Sequence, residues 1–237
     1  MEMIKGIEIV DLSIYFKNKN ILIISDTHVG YEEALNKDGI LIPRFHFKEL
    51  IQRLDKIFSR LRNKKLDKII INGDVKHEFG NISEQEWRNT LLLLDHIKKH
   101  CNEIILIKGN HDKILGPIAE KRNIKIVNNL MIGDILITHG DVIIKPDKNI
   151  KTIIIGHEHP AISLKDNSRV ETFKCFLKGK YKDKTLIVQP SFNLVTEGSD
   201  ILKDKALSPY LHHDLSQFEA YIVSDKVYRF GKLKNLT

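Results

Sequence analysis

Cysteine occurs only twice in 237 residues, as Cys101 and Cys175. The two stand far apart and neither has a second cysteine nearby, which excludes a disulfide framework, a thiolate metal site and a Cys-pair redox motif. Long apolar runs are missing too, so nothing reads as a membrane span. The first residues, Met1-Glu2-Met3-Ile4-Lys5-Gly6, lack the cationic start and unbroken apolar core of a signal peptide. The expected location is therefore the cytoplasm. Internal repeats, low-complexity tracts and linker-like composition breaks are also absent. One domain is expected over 1-237, long enough to bury a sizeable core.

What is present is ordinary for a folded chain in water, with 29% charged and 42% hydrophobic residues. The formal charge of +7 favours an anionic partner, nucleic acid first among them. Charge alone speaks to solubility and encounter rather than to fold.

The informative pattern is a recurring one, an apolar run that ends in a polar cluster. Residues 7 to 16 largely alternate apolar and polar and predict one or two half-exposed strands. Ile21-Leu22-Ile23-Ile24 is continuously apolar, as in a strand covered on both faces, and ends in Ser25-Asp26-Thr27-His28. Residues 29 to 44 show no clear period and contain Gly30, Gly39 and Pro43, which predicts a long loop over the site. From Phe45 to Leu61 the apolar residues at 47, 50, 51, 54, 57, 58 and 61 predict an amphipathic helix.

Lys68 to Ile71 reads as the next strand, ending in Asn72-Gly73-Asp74-Val75-Lys76-His77. Ser83-Glu84-Gln85-Glu86 has the form of a capping box, Ser83 bonding the amide of Glu86 and Glu86 reaching back, and opens a helix through Ile97. Ile104 to Ile107 ends in Lys108-Gly109-Asn110-His111-Asp112. A short helix over 113–121 and strands over 124–127 and 135–138 follow, the last ending in His139-Gly140-Asp141. Lys151 to Ile155 ends in Gly156-His157-Glu158-His159. Residues 173 to 184 carry five lysines with Phe173, Phe176 and Tyr181. They predict a hairpin with its aromatics in the core, the alternative being a surface that tracks nucleic acid. A terminal hairpin is expected over 220–230. Run, polar tip and helix in alternation predict a layered α/β fold, with mixed sheets flanked by helices and part of the second half antiparallel.

Sites in open α/β sheets form at the carboxyl ends of strands. The tips together supply Asp26, His28, Asp74, Asn110, His139, His157 and His159, which is two carboxylates, one amide oxygen and four imidazoles. A structural zinc site needs four ligands and usually cysteine. Seven donors of this kind suffice for two ions, with Asp74 able to bridge them. Mixed nitrogen and oxygen favour a transition metal, manganese first with zinc, iron or nickel as alternatives, over magnesium or calcium. Two such ions about 3.5–4 Å apart can hold a hydroxide between them and assist in-line displacement at phosphorus.

Asp26-x-His28, Gly73-Asp74, Gly109-Asn110-His111-Asp112, His139 and Gly156-His157-x-His159, in this order, resemble the five motifs of the calcineurin-like metallophosphoesterases. Gly73-Asp74-x-Lys76-His77-x-Phe79, Ile42-Pro43-Arg44-Phe45 and Pro190-Ser191-Phe192-Asn193 further resemble an archaeal subgroup related to DNA-ligase-associated phosphoesterases and, more distantly, to double-strand-break-repair nucleases. The resemblance implies the layered metallophosphoesterase fold, with the metal-site core over 21-160 and substrate-contacting strands over 161-237. It also implies that Asp26, His28, Asp74 and His159 hold one ion, and that Asp74, Asn110, His139 and His157 hold the other. His111 takes the role of transition-state stabiliser or proton donor, oriented by Asp112 or a backbone group.

One departure stands out. Gly-Asp-Val-Lys-His replaces the Gly-Asp-x-x-Asp of many members, so His77 is a near-site residue without an assigned role. Arg44 and His77 are candidates for substrate contact, while His46, His96, His100, His212 and His213 read as ordinary surface or core residues. The expected activity is that of a two-metal phosphoesterase, a phosphodiesterase by preference, acting on nucleic acid or a nucleotide. A non-catalytic scaffold of the same fold and a DNA-binding repair accessory are the rivals, and the complete ligand set argues against the scaffold. Oligomeric state is left open.

Overall fold

The computed structural model describes residues 1–43, 45–62, 64–80, 82–166 and 169–236. The first half builds a seven-stranded sheet in simple sequence order. Three short antiparallel strands, β1 (Glu2–Ile4), β2 (Ile7–Val10) and β3 (Ser13–Phe16), lead to β4 (Ile21–Ile24). From there pairing turns parallel, through β5 (Leu66–Asn72), β6 (Cys101–Ile107) and β7 (Lys125–Val127). Parallel neighbours need crossovers. These are α1 (Tyr31–Lys37) with α2 (His46–Arg60), then α3 (Glu84–Lys98), then α4 (Gly116–Glu120).

The second sheet holds β8 (Asn129–Ile132), β9 (Ile135–Thr138), β10 (Thr152–Ile155), β11 (Pro160–Asp166), β12 (Arg169–Tyr181), β13 (Lys184–Val188), β14 (Ser199–Asp200), β15 (Glu219–Val223) and β16 (Val227–Lys232). Its path runs β14-β11-β12-β13-β10-β9-β8, with β15 pairing to both β12 and β16. β9, β10 and β13 are mutually parallel, and the hairpins β8–β9, β11–β12, β12–β13 and β15–β16 are antiparallel. The two hairpins expected over 173–184 and 220–230 are the last strands of this mixed sheet.

Strand alternation explains how this sheet is covered on both sides. Ile137, Ile154, Phe176 and Ile187 belong to the core shared with β4, β5 and β6. Their sequence neighbours Leu136, Ile153, Ile155, Cys175, Leu177, Leu186 and Val188 fill a second core on the opposite face, closed by Tyr210, Leu211 and Phe218. Successive side chains point to opposite faces, so a strand buried twice must be apolar at nearly every position. The continuous isoleucine runs have that cause.

The expected loop over 29–44 is instead helical for seven residues, α1, entered from Gly30 in the left-handed region at φ 94°. Gly30, Gly39 and Pro43 bracket a good helix-forming stretch, Tyr-Glu-Glu-Ala-Leu-Asn-Lys, and punctuation at its ends masked it. The capping box at the start of α3 is half formed. Ser83 accepts from the Glu86 amide at 3.1 Å, but the Glu86 carboxylate turns away to accept from the amides of His77 and Glu78 at 2.8 and 2.9 Å. β1, β8 and β14, of two to four residues, and β11, of seven, lie outside the predicted strands.

No helix among the described residues is long and apolar enough to cross a membrane. Phe176 is fully buried at the junction of the two sheets. Phe176→Ala should therefore destabilise the fold by about 3–5 kcal/mol, a loss read directly from the midpoint of a urea unfolding curve.

Candidate metal centre

The carboxyl ends of β4, β5, β6, β9 and β10 meet on one edge, and backbone hydrogen bonds tie them together. The Asp26 amide donates to the Gly73 carbonyl at 3.1 Å, the His28 amide to that of Asp74 at 2.9 Å, and the Gly156 amide to that of His139 at 2.8 Å. The loop after β13 joins them, with the amides of Phe192 and Asn193 donating to the carbonyls of Ser25 and Asp26 at 2.7 and 3.0 Å. Asp26, His28, Asp74, His157 and His159 all take left-handed backbone, φ 42° to 64°. Each such non-glycine residue costs on the order of 1–3 kcal/mol, and such strain gathers where a site requires it.

Those conformations aim the side chains inward. Asp26, His28 and His159 form one donor group and Asp74, His139 and His157 another, the donor atoms of each group lying within 4.8 Å of one another. Asp74 Oδ2 stands 3.7 Å from His28 Nε2 and 3.4 Å from His139 Nε2, between the two groups. Asp26 Oδ1 is 3.5 Å from both His139 Nδ1 and His159 Nε2. Asn110 Oδ1 lies 2.9 Å from His139 Nε2. Two glycines make this approach possible. A Cβ on Gly73, at φ 83°, would run into the His139 ring, and one on Gly109 into the Asp74 carboxylate.

The donor set fits divalent metal. His28 Nε2 faces His159 Nε2 at 3.3 Å and His157 Nδ1 faces His139 Nε2 at 3.2 Å, imidazole nitrogen against imidazole nitrogen. His139 Nδ1 is buried with no hydrogen-bond partner among the described residues. Burial, then the charge of neighbouring imidazoles, pushes His28 and His157 below the ordinary histidine range. Burial also opposes charge on Asp26 and Asp74, but His159 beside the first and His139 beside the second outweigh it and hold both carboxylates ionised. On His139 burial is outweighed in the other sense, and the Asp74 and Asp26 carboxylates raise it to about 9. Two buried anions among imidazoles thus favour positive charge at His139. A divalent cation satisfies the same demand more fully, and nitrogen-oxygen donors suit transition metals.

Residues 19–189 match the family described as Calcineurin-like phosphoesterase. The chain belongs to that family. It is a metal-dependent phosphoesterase, and its His/Asp clusters fit a binuclear divalent site. Among solved structures the chain is similar to the crystal structure of Pseudomonas putida nuclease MPE. Identity is 21%, TM-score 0.65, and the match covers 94% of this chain and 93% of that one, a likeness of fold. Another match is a protein of unknown function from Aquifex aeolicus, AQ665, at 22% identity and TM-score 0.39, covering 59% and 78%. No curated protein matches the chain.

Beside the phosphoesterase centre opens a pocket of about 170 Å³, lined by His28, Tyr31, His77, His111, His159, Asn193 and Thr196. His77, unassigned from the sequence, lies in it with Nδ1 3.4 Å from His28 Nδ1 and its ring 4.2 Å from that of Tyr31. Burial, then His111, lowers its pKa to about 4. His111 reaches the pocket with Nε2 3.9 Å from Asp74 Oδ2. Its Nδ1 is held by the backbone carbonyl of His77, and Phe79 covers its ring at a centroid distance of 3.6 Å. The Asp112 carboxylate makes its hydrogen bonds to backbone amides rather than to that ring. It accepts from the amides of Val75 and Gly109, both at 3.0 Å, and so binds the β5 tip to the β6 tip. Burial, then the nearby Asp74 charge, raises Asp112 to about 7. Arg44 lies outside the described residues.

Composition and spacing did not point to Lys76, which is fully buried and donates Nζ to the carbonyls of Glu78 and of His111, the latter at 2.8 Å. Lys174 is buried as well, donating to Ser191 Oγ at 2.9 Å and the Glu197 carbonyl at 3.3 Å, and it anchors the loop that brings Asn193 and Thr196. Burial lowers its pKa to about 8. A lysine is normally read as surface, so only the Gly-Asp-x-Lys-His motif hinted at the first and nothing at the second. His46, read as surface or core, is buried with Nε2 3.2 Å from the Thr27 carbonyl. A larger cleft of about 690 Å³ lies along α2, but Asp11 already pairs with its Arg53 and Arg60.

Gly73→Ala should leave a folded chain with little bound metal, seen as metal content against an unchanged far-ultraviolet spectrum. Lys76→Met should cost roughly 1–3 kcal/mol for each orphaned carbonyl, measured by chemical denaturation.

Proposed function

We propose that this phosphoesterase is a two-metal phosphodiesterase that acts on nucleic acid or a nucleotide in the cytoplasm, with residues 1-237 as one functional unit. In this reading Asp26, His28, Asp74 and His159 hold one ion and Asp74, Asn110, His139 and His157 the other. The observation that carries it is the position of Asp74, whose Oδ2 faces a histidine of each donor group at 3.7 and 3.4 Å. Manganese is the first expectation, with zinc, iron or nickel behind it, because the donors mix nitrogen and oxygen. When bound, such ions supply Lewis acidity and a nucleophile at neutral pH.

The protein's own part falls to the pocket beside the centre. The His77 carbonyl accepts a hydrogen bond from Nδ1–H of His111, which directs Nε2 into the pocket. In its charged form that Nε2–H donates to a phosphoryl or leaving oxygen. Phe79 and the Lys76 bond keep the ring and its backbone in place, so the donor needs no reordering as charge develops. Asn193, Thr196 and Tyr31 line the entrance where the rest of the substrate lies.

Nucleic acid as the substrate class is supported by the net charge of +7 and by the likeness to a nuclease over nearly the full chain. Kinship with the archaeal subgroup rests on Gly73-Asp74-Val75-Lys76-His77-Glu78-Phe79. The free thiols Cys101 and Cys175 suit a reducing compartment.

The test is hydrolysis of paired chromogenic phosphate diester and monoester substrates by metal-stripped protein, titrated with manganese, zinc, nickel and magnesium. Diester turnover should exceed monoester turnover and require metal; the reverse preference would remove the phosphodiesterase reading. Asp74→Asn should lose both metal and activity. His111→Ala should keep its metal while turnover falls roughly 10²–10⁴-fold, and loss of metal on that substitution would make His111 a ligand instead.

A further inference from the structure

A third group of nitrogen and oxygen donors lies away from the catalytic edge. Asp55 belongs to α2, His96 to the last turn of α3, and His100 directly precedes β6. One donor atom of each lies within 4.8 Å of the other two. His96 Nε2 is 2.8 Å from Asp55 Oδ1, and the two imidazole centroids are 5.4 Å apart. His100 stacks nearly flat on Phe58, 4.0 Å between centroids at 14°, and Phe58 is anchored in the main core. The rings are thus fixed by packing rather than waving in solvent.

We propose that Asp55, His96 and His100 form a separate binding site for one divalent transition-metal ion of the zinc, nickel or copper type. Two imidazoles and one carboxylate are borderline donors, unlike the all-oxygen shells of calcium and magnesium. Ligands on one tetrahedral zinc lie roughly 3.3 Å apart, given bonds of about 2.0–2.1 Å. Closing from 4.8 Å takes only a small turn of side chains at a partly open surface. The Asp55 side chain is 52% exposed, so an ion enters without opening the fold and keeps water on its remaining positions.

Local charge is mixed, with Asp55 as the anionic ligand. The site lies at the carboxyl end of α3, where the helix dipole favours a cation. Lys98 and Lys99 flank the site, yet the Lys98 ammonium is held on the Asn102 carbonyl at 2.6 Å. The site and the catalytic centre are at opposite ends of β6, whose seven residues span about 23 Å at 3.3 Å each. An ion here would clip α2 to α3 without touching the reaction, and would stabilise the folded state by mass action.

The test is zinc content of tag-free, metal-stripped full-length protein after equilibrium dialysis, compared with His96→Ala/His100→Ala. The native chain should bind one ion more than the double variant, while metal-dependent phosphoesterase turnover is the same in both. Equal zinc content in the two proteins would overturn the proposal. Should the double variant fail to fold, the assigned imidazole proton signals of His96 and His100 in the native chain decide. A shift of both on zinc addition supports the site, and signals unmoved at millimolar zinc overturn it.

Discussion

Two carboxylates that have almost no contact with water, Asp26 and Asp74, set the terms for everything around them. An ionised carboxylate in such a place is costly unless positive charge or hydrogen-bond donors stand close. Ser25 Oγ and the His157 amide donate to Asp26, and the His111 amide to Asp74. The remaining demand falls on four imidazoles, and the two carboxylates raise the pKa of His139, which lies between them. A chain that assembles buried anions and neutral donors at one point has prepared a place for cations. The calcineurin-like phosphoesterase fold is the scaffold that makes this possible.

That preparation is held by backbone rather than by side-chain packing alone. Five left-handed residues, two close glycine approaches and the carboxylate of Asp112 lock the strand tips against one another. The strain is sustained because the strands behind the tips are buried on both faces and cannot yield. Interior packing is dense and resists deformation. Stability made in the two cores is in this sense what keeps a strained and electrostatically costly edge in shape.

The stretch from Lys76 to Phe79 does for His111 what the tips do for the metal donors. A carbonyl holds Nδ1, a ring covers the imidazole, and a buried ammonium fastens the backbone of both loops. The Glu86 carboxylate secures the same stretch from the start of α3. It does so by giving up the reciprocal bond of its capping box for two loop amides that lie within reach.

The sequence by itself determined the apolar runs, their polar ends, the amphipathic α2 and α3, and the chemistry of the donors, because these depend on local period and residue type. It identified the family through an ordered set of tips between Asp26 and His159, even though each tip alone is turn-forming chemistry. Helix α1 was hidden by its flanking glycines, and β1, β8 and β14, of two to four residues, were too short to carry a period. Only the tertiary structure decided which donors face one another, that a backbone carbonyl and not Asp112 holds His111, and that two lysines belong inside. It alone set Asp55 beside His96 and His100. Most of these contacts join residues from 17 to 131 positions apart, and their geometry follows from how two sheets and their crossovers pack, which no local pattern of residues encodes.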